Sequence, residues 1–293
     1  MYETFYNLKT RPFENTPDPR FFFASEQHRE ALAAIEYTIR FRKGFVLVTG
    51  HIGAGKTMVG RTMCHRCGQA AQIVHVLHGH QDDTGLIRQI LRSLRVRTCR
   101  ADDLGRMLER LREYVVGQLH DGLPVVLFVD EAQTLSDASL EQLRLLSSFD
   151  TATQKAVQVV LIGQPELRQR IRNPQCAALR QRIVLAKQLS PLDQQETGAY
   201  LAHRLRIASA DPEHVQVQFD PTALGQIYDF CGGVPRLINV MADNCLLLGY
   251  VRQTREISPT IVQRVMQDQV PDFDDEPAGT QLHPQSHRLA ANF

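Results

Sequence analysis

The 293-residue chain is 43% apolar and 22% charged with a formal net charge of +1, the balance of a soluble globular protein long enough to bury a large core. That charge excludes a global attraction to nucleic acid or anionic membrane, so any such contact has to be local. No apolar run approaches the roughly 20 residues that span a bilayer, the N-terminus lacks a secretory signal pattern, and the six cysteines are too scattered for a disulfide framework, so a cytoplasmic setting is expected.

Residues 1–24 are rich in aromatics and proline, as in "TPDPRFFF". From Ser25, an N-cap candidate, Leu32, Ile35 and Ile39 recur at helical spacing to about Arg42. "GFVLVTG" reads as a short buried strand and the residues after Lys56 as a helix. A second strand, "AQIVHVL", falls at 71–77, and polar-faced helices fit 84–96 and 102–120. "PVVLFVDEAQ" is a third buried strand, "AVQVVLIGQP" a fourth and "RIVLAKQL" a weaker fifth. Strands alternating with helices predict an α/β fold with a mostly parallel sheet covered on both faces. After Ser190 only helix signals appear: Leu192–Ala208, Pro221–Cys231, Val234–Tyr250 and Pro259–Gln269. "GGVPR" and "SPT" supply the capping residues there. The stretch 271–293 is polar and unpatterned, as a disordered tail would be.

The loop between the first strand and the following helix, "GHIGAGKT", matches G-x-x-x-x-G-K-[ST] in full. Its glycines let backbone N–H groups close around phosphates, and the helix N-terminus adds a favourable dipole. Gly50, His51, Ile52, Gly53, Ala54, Gly55, Lys56, Thr57 and Met58 are the predicted nucleotide cradle. Lys56 would reach the β- and γ-phosphates and Thr57 would ligate Mg²⁺.

Asp130 and Glu131 end the third strand, where ligands bind in open parallel sheets. Asp130 is the second expected Mg²⁺ residue. Glu131 is the expected general base for an attacking water, an arrangement that favours ATP hydrolysis over small-molecule kinase chemistry.

With these motifs, "FYNLKTRPFENTPDPRFFFASEQHREAL", "VVLIGQPEL", "LRQRI" and "GGVPRLIN" together, the chain resembles the AAA+ ATPases, and more narrowly the general secretion pathway protein A ATPases, over about residues 1–269. The resemblance implies a P-loop α/β nucleotide-binding domain (25–190) and a small all-helical lid (191–270), with residues 1–24 as an N-terminal flap. It also implies site residues. Gln164, ending the fourth strand, would be the polar sensor of the γ-phosphate. Arg236, opening a lid helix, would be the second sensor. Arg182, with Arg180 as runner-up, matches the position of a finger supplied to a neighbouring subunit, so a homo-oligomer is implied.

Family members implicated in secretion continue into a membrane span and a cell-wall-binding domain. These 293 residues hold neither, which argues against directly driving a secretion pore. Similar modules serve surface-polysaccharide and protein-sorting systems, and the chain also resembles the target-selection ATPases of transposons. Three outputs stay open: assembly or remodelling of an unidentified client in an envelope or export system, DNA-dependent ATPase action, and nucleotide gating with little hydrolysis.

Arg88, Arg92 and Arg95, followed by Arg97 and Arg100, form a basic face opposite Ile87, Ile90, Leu91 and Leu94. It reads as a solvated or intersubunit face, with DNA as the alternative partner. Cys64 and Cys67, with His75, His78 and His80 nearby, have zinc-like spacing but fall on a helix without a second standard pair, so they read as packed cysteines. The N-terminal aromatics are expected to pack on the core, to line an adenine pocket, or to stand exposed for a partner.

Overall fold

The structure, a computed structural model, describes residues 1–68, 70–76, 84–99, 102–146, 148–149 and 154–269. Its elements begin with α1 (Tyr2–Phe5), α2 (Glu26–Arg40), β1 (Phe45–Gly50), α3 (Lys56–Cys67), β2 (Gln72–Val76), α4 (Gly85–Ser93) and α5 (Leu104–His120). Next come β3 (Val125–Val129), α6 (Asp137–Leu146), β4 (Val157–Gly163), α7 (Pro165–Arg172), α8 (Ala177–Arg180) and β5 (Ile183–Leu189). The chain continues through α9 (Gln194–Ala208), β6 (Gln218–Phe219), α10 (Pro221–Cys231), α11 (Pro235–Val251), β7 (Glu256–Ile257) and α12 (Pro259–Gln269).

The first five strands form one parallel sheet in the order β2-β3-β4-β1-β5. Every residue of β1, β3 and β4 is buried, as expected of central strands covered on both faces. Side chains alternate across the sheet. Leu47, Leu127 and Leu161 join the apolar cluster under α4 to α7, while Val48, Phe128 and Ile162 join the one under α2 and α3. Edge strand β5 alternates half-buried and exposed positions, which is why its sequence signal is weak. The fold is a P-loop α/β sandwich followed by a helical C-terminal region. β1 lies between β4 and β5, so the loop leaving β1 opens at the carboxyl edge of the sheet, beside the ends of β3 and β4.

The helical region has its own core. Leu201, Leu205, Ile227, Ile238, Met241, Leu246 and Val262 cluster there with Tyr2, Tyr6, Phe13 and Phe21 from the chain's start. The N-terminal segment is therefore part of this second core. Tyr6 is fully buried and its hydroxyl donates to the carbonyls of Leu246 and Thr254 at 3.1 and 3.2 Å. Tyr2 donates to the Asp243 carboxylate. No aromatic of residues 1–24 is exposed, so within the first 45 residues the reading of aromatics standing exposed for a partner is left with Tyr37 and Phe41.

Three expectations need correction. Helix α4 ends at Ser93, and Arg95 takes a left-handed conformation (φ 57°) beyond it. Arg88, Arg92 and Arg95 thus do not share one helical face, although Ile87, Ile90, Leu91 and Leu94 are buried as expected. Arg88 donates instead to the Cys99 carbonyl (3.3 Å), and Arg100 lies outside the described residues. Second, the region after Ser190 is not purely helical, because β6 and β7 pair in parallel. Third, the helix predicted over 102–120 starts at Leu104, because Asp103 caps α5 by accepting from the Arg106 N–H. Leu77, His78, His80 and the expected tail at 271–293 lie outside the described residues. No helix among the described residues is long and apolar enough to cross a membrane.

Candidate functional site

The loop from Gly50 to Gly55 connects β1 to α3 and needs conformations that side chains resist. Gly53 and Gly55 have φ of 79° and 88°, values natural to glycine alone. Space is also lacking. A Cβ at Gly53 would come within 2.8 Å of Val234 Cγ1 and 2.9 Å of Arg236 Cβ, and one at Gly55 within 2.8 Å of His28 Nε2. The loop is thus packed between the start of α11 on one side and α2 on the other. Its first turn of helix presents free N–H groups, a favourable seat for an anion.

His28 fastens this loop to the N-cap of α2. Its Nε2 lies 3.1 Å from the Ala54 carbonyl and its Nδ1 2.6 Å from Ser25 Oγ. A carbonyl only accepts, so the proton sits on Nε2 and Nδ1 accepts from the serine hydroxyl. Burial pulls the His28 pKa below its ordinary value, which keeps the ring in this neutral form.

Lys56 is buried, with Nζ donating to the His51 carbonyl at 2.8 Å. Burial lowers its pKa, and the carboxylates of Glu131, Asp130 and Glu166 oppose that shift. Thr57 Oγ1 donates to Asp130 Oδ2 at 2.9 Å. A hydroxyl and a carboxylate in contact are the hard oxygen donors that suit Mg²⁺. Asp130 also accepts the Glu131 N–H through Oδ1 (2.9 Å), and Glu131 holds a left-handed backbone (φ 49°) just past the end of β3.

Lys56, Thr57 and Glu131 face one cavity of about 300 Å³, whereas Asp130 and Gln164 are not among its lining residues. Ile52, Gly53, Gly55, Lys56, Thr57, Met58, Glu131 and Arg236 all line it, as do Phe21, Phe22 and Phe23. Gly50 pairs with Leu189 at the end of β1, and Ala54 is buried beneath the loop. Gln164 follows β4, with its Nε2 3.5 Å from Glu131 Oε2. Arg236 is exposed in the first turn of α11 and stands over Gly53.

Arg182 and Arg180 are placed differently. Arg180 ends α8 and donates to the Arg172 carbonyl at 2.7 Å, while Arg182 lies in the turn before β5. Neither is among the residues that line the cavity.

Two features were missed from the sequence. Arg204 of α9 is 3% exposed and lines the cavity. It donates to the carbonyls of Pro12 and Glu14 and to the Tyr200 hydroxyl, which donates to Asn239 Oδ1 at 2.7 Å. Asn239 in turn reaches Asn15 at 3.0 Å. This network straps residues 12–15 to the helical core, and only a fold-level contact could reveal it. The other is Gln133, the last residue of the quoted "VVLFVDEAQ". Cys64 and Cys67 are half-buried, and burial pushes the Cys64 thiol up to about 12. No group of three metal-ligating side chains occurs among the described residues.

Residues 39–171 match the family described as AAA domain. Over 257 residues, 88% of the chain, the sequence is 37% identical to General secretion pathway protein A of Aeromonas hydrophila, and it spans 46% of that protein. Among solved structures, the ORC2 protein of Aeropyrum pernix superposes with a TM-score of 0.65 at 15% identity, over 89% of this chain and 72% of that one. Cdc6p of Pyrobaculum aerophilum gives 0.64 at 16% identity, over 88% and 70%. The RuvB Holliday junction branch migration motor of Thermotoga maritima gives 0.52 at 17%, over 84% and 70%. At these identities the likeness to the solved structures is one of fold.

Proposed function

The chain is an AAA+ protein resembling the general secretion pathway protein A ATPases, and on that premise we propose that it binds and hydrolyses Mg-ATP to assemble or remodel a protein partner. The observation that carries this reading is the contact of Thr57 with Asp130, with Thr57, buried Lys56 and Glu131 lining one cavity.

Lys56 and the N–H groups of the loop hold the phosphates, and Lys56 exchanges the His51 carbonyl for a phosphate oxygen. Thr57 and Asp130 would hold Mg²⁺, which would supply charge neutralisation for the phosphate oxygens. Glu131 takes the proton of the attacking water, a role worth about 10²–10⁴ in rate. Gln164 reads the γ-phosphate end, and Arg236 adds a cation from the helical side that ties the start of α11 to nucleotide state. Phe21 to Phe23 provide an aromatic wall for the base.

Arg182, with Arg180 as the alternative, serves a neighbouring copy, the role that the family resemblance implies for this position. A finger supplied this way is worth about 10³–10⁵ in related phosphoryl-transfer enzymes, so activity depends on a homo-oligomer. The resemblance favours a client in an envelope, export or surface-polysaccharide system, served from the cytoplasm. The broken basic face at Arg88–Arg95 gives the DNA-dependent reading less support.

The test compares wild type with Glu131→Gln in nucleotide binding and in steady-state turnover. Retained binding with turnover down at least about a hundredfold is expected; a variant hydrolysing at the wild-type rate would sink the assignment. Specific activity should rise with protein concentration. It should not be stimulated by duplex DNA in a way that falls steeply with salt.

A further inference from the structure

Gln133 sits two residues past Glu131, in the 3₁₀ turn Ala132–Thr134, and its side-chain amide is engaged at both ends. Oε1 accepts the backbone N–H of Gln164 at 3.0 Å, and Nε2 donates to Glu131 Oε2 at 2.5 Å. The backbone donor decides the orientation of the amide. An N–H can face only the carbonyl oxygen, so the NH₂ must face the carboxylate.

The turn carrying Gln133 is itself held. Arg170 of α7 donates to the carbonyls of Gln133 (3.4 Å) and Leu135 and pairs with the Asp137 carboxylate. Behind the amide, a Cβ at Gly163 would come within 2.9 Å of Gln133 Oε1, so the side chain lies close against the end of β4. A side chain in bidentate contact with two neighbouring strand ends, on a backbone anchored from a third element, has little freedom to reorient.

We propose that Gln133 is a positioning residue for Glu131, the side chain through which a shift of the Gln164 backbone at the end of β4 is chiefly delivered to the carboxylate. This rests on the reading of Glu131 as the base. Its own content is the coupling: Gln164 contacts Glu131 directly only at 3.5 Å, whereas the path through Gln133 consists of two short bonds. A base displaced by about 1 Å can cost about a hundredfold in rate. Substrate binding, set by the phosphate loop, does not require the amide.

The experiment uses Gln133→Met, which keeps length and loses both bonds, and Gln133→Glu, which keeps an acceptor for the Gln164 N–H but sets a carboxylate against Glu131. Each is measured for ATP binding, kcat, KM and unfolding midpoint, beside Glu131→Gln and the double variant Glu131→Gln/Gln133→Met. The expected result is kcat lower by about tenfold to a hundredfold in both Gln133 variants, with KM, ATP affinity and midpoint close to wild type. The double variant should keep the residual rate of Glu131→Gln, because a residue acting through Glu131 has nothing left to act on. Losses that multiply in the double variant, or a drop in affinity and midpoint that accounts for the loss of rate, would reduce Gln133 to a packing role and overturn the proposal. Wild-type turnover in Gln133→Met with a dead Glu131→Gln would refute the coupling alone. Wild-type turnover in Glu131→Gln would remove the base and the proposal with it.

Discussion

Gly53→Ala should separate the cost of a backbone conformation from the cost of a contact between the phosphate loop and α11. Gly53 has φ 79° and Gly122 has φ 80°. A Cβ on either residue therefore meets the same left-handed penalty, roughly 1–2 kcal/mol, and gains the same restriction of the unfolded chain. Their surroundings differ. At Gly122 nothing lies within 4 Å of the added carbon, while at Gly53 it meets Val234 Cγ1 at 2.8 Å and Arg236 Cβ at 2.9 Å. Overfilling a packed site costs about 1–3 kcal/mol. Gly53→Ala should therefore be less stable than Gly122→Ala by about 1–3 kcal/mol. At roughly 2–4 °C per kcal/mol for chains of about 150–250 residues, that separates the melting midpoints by about 2–12 °C. Thermal unfolding without nucleotide is the appropriate assay, because it excludes any direct clash of the new methyl with a phosphate. Equal midpoints for the two variants would refute the close approach of α11 to the loop.

Two further perturbations bear on the supports of the cavity. Burial holds the His28 pKa below its ordinary 6.5, so its stabilising contribution is complete above about pH 6.5 and is lost as pH falls through the lower folded value. Replacing it in His28→Gln leaves an amide to donate to the Ala54 carbonyl without titrating. The melting midpoint of the wild type should then fall more between pH 7 and 5 than that of the variant, and parallel curves would count against the neutral-ring assignment. Arg204→Met keeps the apolar stem and strands the Pro12 carbonyl, at a cost of roughly 1–3 kcal/mol for an unsatisfied buried acceptor. Limited proteolysis should cut within the first 23 residues and the KM for ATP should rise with kcat kept. Wild-type resistance to protease would show that the strap does not depend on Arg204.

The phosphate loop and the central strands were legible because each is written in consecutive residues. "FVLVTG" is apolar at every early position, and the glycines and Lys56 follow at fixed spacing. Asp130 and Glu131 were legible for the same reason, standing directly behind "VVLFV". What the sequence concealed depends on distant partners. Gln133 lies inside a quoted motif, yet only the approach of Gln164, 31 positions away, shows what its amide does. Tyr2, Tyr6 and Phe13 gave an aromatic-rich composition without an address, because their partners are on α9 to α12. The strands β6 and β7 contain two residues each, too few for any period to show. Arg95 failed the other way: helical spacing ran on past Ser93, but the chain turned left-handed there and removed the basic face.

The strapping of residues 1–23 to the helical core has a mechanical consequence. The backbone crosses between that core and the five-stranded sheet at residues 23–25 and again at 189–193. These crossings lie side by side, with the Ser190 N–H donating to Gln27 Oε1 at 2.6 Å and Lys187 pairing with Glu30 at 2.7 Å. A body hung from one thread swivels about any axis. One hung from two adjacent threads keeps a single axis between them and resists twist about any other. Severing the backbone near residue 24 would leave the helical bundle joined to the sheet by the single covalent crossing at 189–193, so that its orientation would rest on that thread and on the contacts of Gln27 and Glu30.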